Sequence, residues 1–193
     1  MERLEAHGNA LRELIPGGSQ ARWDNMVNLK LMGNRLTELP EELSQMTSLR
    51  TLLVAGNQLK TLPECITKFR KLEWLFAYNN AITDLPAGLL KGDGWLDRVM
   101  LEGNPLSKPT VEALLADAVD TKVKVVSLDL AQVRAHVAAT TKWSDLPACV
   151  SVGSLVHSPE APQYYMKLVR ASQLHREPGT LAIGEPSGPA DPE

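Results

Sequence analysis

The sequence predicts an α/β solenoid. Stacked coils of about 23 residues each give one short strand to a parallel sheet on the concave side, with short helical or irregular segments on the convex side. Three observations predict it. First, Asn34, Asn57, Asn80 and Asn104 stand 23, 23 and 24 residues apart. Second, each sits in the same apolar frame, L-x-x-L-x-L-x-x-N-x-L, in the stretches Met26–Leu36, Leu49–Leu59, Leu72–Ile82 and Leu96–Leu106. Third, a Leu-Pro pair follows at a fixed offset in three copies: Leu39-Pro40, Leu62-Pro63 and Leu85-Pro86. One such unit cannot bury its apolar edge alone, whereas stacked units share a continuous core.

Each copy opens with a strand. The L-x-L alternation turns residues such as Leu52 and Val54 inward and their neighbours outward. The chain then leaves the strand, and the turn strands backbone groups in the interior that need partners. An Asn amide donates and accepts at once, so the ninth position predicts a ladder of side chains bridging adjacent coils. Proline at the start of the second half suits the first position of a short helical turn. Met46 and Phe69 then pack back toward the strand side. A further copy stands at the beginning of the chain, where Leu4, Ala6, Asn9 and Leu11 take the same positions. That copy is imperfect: Leu14-Ile15-Pro16 is one residue longer and Gly17-Gly18 follow. Its open apolar edge leaves two expectations: a fragment of a longer protein or partner-covered edge, and a naturally short first repeat that frays.

The frame with N-x-L-x-x-L-P resembles the typical intracellular leucine-rich repeats of the Ras-suppressor, Scribble and Erbin kind. Plant Ras-group-related repeat proteins and many bacterial ones share it. The resemblance spans roughly Met1 to Leu106. It implies a cytoplasmic adaptor, often working near small GTPases or kinases.

After Asn104 the pattern changes. Val111, Leu114, Leu115 and Ala118 share one face of a predicted helix with Thr110 as its N-cap. Val123–Leu130 alternates like a strand, with Leu128 and Leu130 in the inward places and no Asn after them. This resembles a longer, helix-containing repeat of the ribonuclease-inhibitor kind. The expected organisation is a repeat domain over 1–137, with about five repeats, a degenerate closing repeat and a short helix over Ala131–Val137. A small appendage over 138–175 follows, and a tail over 176–193 rich in Pro and Gly is expected to be disordered. In the appendage, Ala148–Val156 reads as a strand that pairs in a hairpin or belongs to a small separate unit, and Tyr164–Ala171 as a strand or a short helix. The fourth Leu-Pro segment, Leu89 to Trp95, is longer and glycine-rich, which predicts a looser turn.

Composition narrows the function. The net charge of −3 and the absence of a Lys/Arg run argue against nucleic acid as a partner. No apolar stretch is long enough for a membrane span. Two distant cysteines, Cys65 and Cys149, fit a reducing compartment. The four histidines have no metal-ligand spacing, and Cys149 reads as a structural thiol rather than a nucleophile paired with His157. No phosphate-cradling or hydrolase motif occurs, so neither an enzyme nor a cofactor is expected.

The outward strand positions carry the functional expectation. They comprise Asn28, Lys30 and Met32, then Thr51, Leu53 and Ala55, then Trp74, Phe76 and Tyr78, then Arg98, Met100 and Glu102. Aromatics make up 5% of the chain, yet three stand on one strand. Leu53 and Met100 should flank Phe76, with Lys30, Arg98 and Glu102 nearby. Aromatic residues and Arg dominate protein contact sites, and an exposed patch of this kind marks one. The expectation is a non-catalytic interaction scaffold or adaptor holding a protein partner at Trp74, Phe76, Tyr78, Leu53, Met100, Arg98, Lys30 and Met32. The competing reading folds the C-terminal segment over the same patch. Two other roles stay open: a regulatory or targeting domain of a larger signalling enzyme, and a structural subunit of an assembly.

Overall fold

The structure is a computed structural model. It describes residues 2–14, 23–91, 96–119, 121–129, 131–133, 135, 147 and 149–153. These fall in one compact unit, Met1–Leu155, while Val156–Glu193 lies outside the described residues.

Seven strands follow one another along the chain: β1 (Arg3–Glu5), β2 (Asn28–Lys30), β3 (Thr51–Leu53), β4 (Trp74–Phe76), β5 (Arg98–Met100), β6 (Val125–Asp129) and β7 (Val150–Gly153). They form a single sheet in chain order, with every neighbouring pair parallel. The repeat sets the register. Leu4, Leu29, Leu52, Leu75, Val99 and Val126 align in one row across the sheet. From Leu29 to Val126 that row is wholly buried, as is the next inward row of Leu31, Val54, Ala77, Leu101 and Leu128. Both rows belong to one apolar core.

The Asn ladder forms as expected. Asn57 Nδ2 donates to Val54 O of its own coil (2.8 Å) and to Leu31 O of the preceding one (2.9 Å), while Oδ1 accepts from Leu36 N (3.1 Å). Asn80 and Asn104 repeat this with Val54 O (3.1 Å) and Ala77 O (2.9 Å) of the preceding coils. Asn34 reaches back to Ala6 O at 2.7 Å. Asn9 stands outside the ladder, exposed, and turns to its own His7 O at 3.2 Å.

On the side opposite the strands, two 3-10 helices span Glu41–Gln45 and Glu64–Lys68. Pro40 and Pro63 are their N-caps rather than their first helical residues. Each carbonyl accepts a 3.1 Å bond, from Leu43 N and Ile66 N respectively. The fixed φ of proline (−72° and −66°) opens the helix without needing an N–H. The fourth coil has a turn over 87–91 in place of a 3-10 helix, with Gly88 at φ 72°. That matches the looser segment expected there, although Trp95 lies outside the described residues.

Helix α1 spans Lys108–Ala118, and its cap is Ser107, not Thr110. The Ser107 hydroxyl accepts from Thr110 N at 3.4 Å and pairs with the Thr110 hydroxyl at 2.9 Å. Pro109 sits at the start of the helix, where a missing N–H costs nothing, and this moves the cap back. Val111, Leu114, Leu115 and Ala118 are the buried face, as expected.

Two expectations beyond the helix change. Val99 pairs with Val126, so Val126 and Leu128 fill the inward places rather than Leu128 and Leu130. Leu130 itself lies outside the described residues. The frame then puts Ala131 where the ladder Asn would stand, at the head of a helical stretch over 131–133. Gln132 Nε2 donates instead to Asn104 O at 2.6 Å. Furthermore, β7 adds parallel to β6, with Val126 opposite Val150 and Leu128 opposite Val152. The sheet therefore runs past the boundary expected after Val137, because Val150 is one more apolar residue in the same row. The hairpin partner expected at Tyr164–Ala171 and the tail over 176–193 lie outside the described residues.

The residue before each ladder Asn has a positive φ. Glycine fills that place at Gly33, Gly56 and Gly103, and Asn79 fills it in the fourth coil with φ 53°. A Cβ on Gly103 would run into the Asn79 side chain, with Cγ at 3.1 Å, whereas a Cβ on Gly56 would meet nothing nearer than Gly33 N at 3.5 Å. Gly56→Ala should cost about 1 kcal/mol for the left-handed conformation alone, and Gly103→Ala clearly more. Urea unfolding of both variants checks this. In an Asn79→Gly background the Gly103→Ala cost should fall toward that of Gly56→Ala, leaving only the 3.2 Å approach to the Cα of residue 79.

Candidate functional site on the strand face

The alternation that buries Leu75 and Ala77 turns Trp74, Phe76 and Tyr78 to the opposite face of the sheet. None of the three rings belongs to the apolar core. Their exposure differs along the strand. Trp74 is 38% exposed, Phe76 is half-buried and Tyr78 is 3% exposed. The Trp74 and Phe76 rings stack, with centroids 6.2 Å apart and planes within 4°. Strand register brings the expected neighbours together. Thr51, Trp74 and Arg98 form one row, and Leu53, Phe76 and Met100 the next. Lys30 lies beside Leu53.

Arg98 reaches across its row, and its guanidinium carbon lies 5.7 Å from the centre of the Trp74 ring. A cation over an indole face is attracted by the ring quadrupole, worth about 0.5–1 kcal/mol at a partly exposed site. Asp97 holds the same guanidinium, with Oδ2 at 3.6 Å from Arg98 Nε, and Asp97 Oδ1 accepts from Lys124 Nζ at 2.6 Å. Arg50 and Glu73 form an ion pair across the third and fourth coils. Lys30 Nζ donates to Glu5 at 2.8 Å, and this bond holds the Glu5 carboxyl below its ordinary value.

Two of the expected contact residues are not open. Tyr78 and Met100 are each 3% exposed, and Glu102 is 2% exposed. Tyr78 lies in a row with Ala55 and Glu102, as the bonds Gly56 N to Tyr78 O (3.0 Å) and Asn79 N to Glu102 O (2.7 Å) require. Burial pushes the Tyr78 phenol up to about 12, and the nearby Glu102 charge adds to the shift. Lys30, Met32 and Leu53 are half-buried, so the open part of the patch centres on Trp74 and Phe76. Asp97, Lys124, Arg50 and Glu73 were not among the expected residues. They stand outside the alternating L-x-L frame, and only the oppositely charged pairs one repeat apart in sequence signal them.

The thiols lie elsewhere. Burial, with Glu41 adding to it, pushes Cys65 up to about 11, and burial also raises Cys149. Both are protonated at neutral pH, which suits packing rather than nucleophilic attack. Among the described residues no group of three or more His, Cys, Asp or Glu side chains could hold a metal ion. No helix among them is long and apolar enough to cross a membrane.

Residues 24–82 match the family described as leucine rich repeat. The chain folds as a leucine-rich repeat solenoid. A solved leucine-rich repeat protein of Leptospira interrogans is similar to it, with 29% identity and a TM-score of 0.56 over 63% of this chain. This chain spans 30% of the length of that protein. No curated protein matches the chain. Leucine-rich repeat solenoids generally mediate protein–protein contact, and the strand face described above is where this one presents aromatic surface.

Separation of face from core gives a direct expectation. Leu75→Ala should cost about 3 kcal/mol, because Leu75 is fully buried. Trp74→Ala, one residue away, should cost about 1 kcal/mol or less, as read by chemical denaturation. The Tyr78 phenol supplies a pH test. Its folded pKa is raised, so its contribution to stability is complete below pH 10 and is lost as pH climbs through about 12. Ultraviolet titration should show one tyrosine ionising only near that upper limit, and Tyr78→Phe should remove it.

Proposed function

We propose that this chain is a non-catalytic protein-interaction module, a cytoplasmic scaffold or adaptor in signalling, that binds a protein partner on its strand face around Trp74 and Phe76. The observation that carries the reading is the exposure of Trp74, 38%, on a strand whose next residue is wholly buried. A large aromatic held open by a rigid sheet loses little freedom on binding, and Trp is the residue most enriched at contact hot spots. Leu53, Lys30 and Met32 extend the contact on one side and Arg98 on the other. Tyr78 and Met100 form its floor. The likeness to other leucine-rich repeat solenoids supports a binding rather than a catalytic role. The N-x-L-x-x-L-P form of the repeats supports a partner from a small-GTPase or kinase pathway. The two free thiols, Cys65 and Cys149, support a reducing compartment.

The test is capture of partners on the immobilised chain, read by mass spectrometry, with wild type beside Trp74→Ala. The variant should lose about 2 kcal/mol of affinity for its specific partner, enough to remove it from the eluate. Folding of the variant is checked by circular dichroism. An unchanged set of captured proteins would overturn the reading.

A further inference from the structure

We propose that the chain associates with a second copy of itself through the open edge of its first strand, the two β1 strands pairing antiparallel about a two-fold axis at Leu4. The proposal stands apart from the contact surface around Trp74. Among the described residues β1 is the edge of the sheet, with β2 on one side only. An unpaired edge is a ready template for another strand. In a parallel pair, alternate residues turn their backbone groups to the neighbour. Glu2 O accepts from Asn28 N (3.0 Å) and Ala6 N donates to Lys30 O (2.9 Å), so Glu2, Leu4 and Ala6 serve β2. The N–H and C=O groups of Arg3 and Glu5 therefore point to the open side. The apolar edge is open as well. Leu11 is 36% exposed, whereas Leu36 and Leu59, its counterparts in later coils, are fully buried. Leu4 is half-buried in a row that is wholly buried from Leu29 onward.

Charge selects both the occupant and the register. Antiparallel strands exchange both N–H···O bonds between residues whose backbone groups face each other. Two-fold pairing centred on Arg3 or on Glu5 sets like charges directly opposite, which is destabilising. Centring on Leu4 sets Arg3 opposite Glu5 at both ends of the pair, Leu4 opposite Leu4 and Glu2 opposite Ala6, so no like charges face each other. The axis then stands perpendicular to the sheet, and the apolar row of one copy continues into the other. Arg3 and Glu5 are both exposed. Arg3 Nε is 3.6 Å from its own Glu5, too long for a hydrogen bond, so the guanidinium can bond the carboxylate across the axis. Glu5 Oε1 accepts from Lys30 Nζ at 2.8 Å, and a carboxylate has sites for further donors. Charges of one sign on an edge strand repel a second copy and block pairing. Arg-Leu-Glu instead matches its own reverse. The other edge of the sheet offers no such match, since β7 reads Val-Ser-Val-Gly and has no charge to set against Arg3 or Glu5.

Analytical ultracentrifugation of the full chain over a range of concentrations tests this. Wild type should sediment as a monomer–dimer equilibrium. Arg3→Glu, which turns both attractive pairs repulsive at exposed positions, should raise the dissociation constant about tenfold. Glu5→Arg should do the same. An equimolar mixture of the two variants should recover the dimer, because each sets opposite charges against the other. Circular dichroism checks that both variants fold. A monomer at every concentration, a dimer that Arg3→Glu leaves as tight, or a mixture no tighter than either variant alone would overturn the inference. Assembly that grows beyond the dimer with concentration would also overturn it, since that is the mark of head-to-tail addition.

Discussion

One side-chain amide per coil holds this molecule in register. Each ladder Asn donates to a carbonyl of its own coil and to one of the coil before, and accepts a backbone N–H in return. These groups lie in the interior, where an unmade hydrogen bond costs about 1–3 kcal/mol. A coil displaced by one residue would lose all of them together and turn its apolar set to the wrong face. The left-handed residue before each Asn follows from the same need. The chain must reverse direction within two residues to aim the amide inward, and Gly33, Gly56, Asn79 and Gly103 take that conformation. The ladder also defines where regular stacking stops. Asn9 bonds to His7 O within its own turn, and beyond Asn104 the longer Gln132 side chain reaches a backbone carbonyl from a helical stretch.

What the sequence made legible is what this period controls. The strands, their order, their inward rows and the ladder all follow from apolar residues recurring one coil apart. Helix α1 was readable for the same reason, since its buried face repeats at helical spacing. Its cap was not, because Ser107, Thr110 and Pro109 compete, and geometry rather than composition favours Ser107. In β6 the loss of Asn removes the landmark that fixes the frame, so the sequence pattern puts the inward residues two places late. Strand β7 was visible as an apolar stretch, but nothing in its residues says whether it pairs with a hairpin partner or adds to an existing edge.

The face of the sheet was legible by position and not by exposure. Alternation says which way Trp74, Phe76, Tyr78 and Met100 point. It does not say what stands beside them. Exposure depends on lateral neighbours about 4.8 Å away on other coils, so it changes along one strand. Trp74 has Thr51 on one side and Arg98 on the other, and stays open. Tyr78 stands between Ala55 and Glu102 and is buried, which is why its phenol is so reluctant to ionise.

Ion pairs between coils follow the same geometry at the ends of the strands. Lys30 and Glu5, Arg50 and Glu73, and Asp97 and Lys124 each join adjacent coils through positions about one repeat apart. Pairs this exposed contribute little to stability, about 0–1 kcal/mol each, far less than the buried rows behind them. Asp97 lies 3.6 Å from Arg98 Nε, and the Arg98 guanidinium lies over the Trp74 indole, so charge and open aromatic surface meet at one row of the sheet. Because the core draws its stability from the inward residues, the outward ones can vary without weakening the fold, and the cost of a change at Leu75 is separable from that of a change at Trp74.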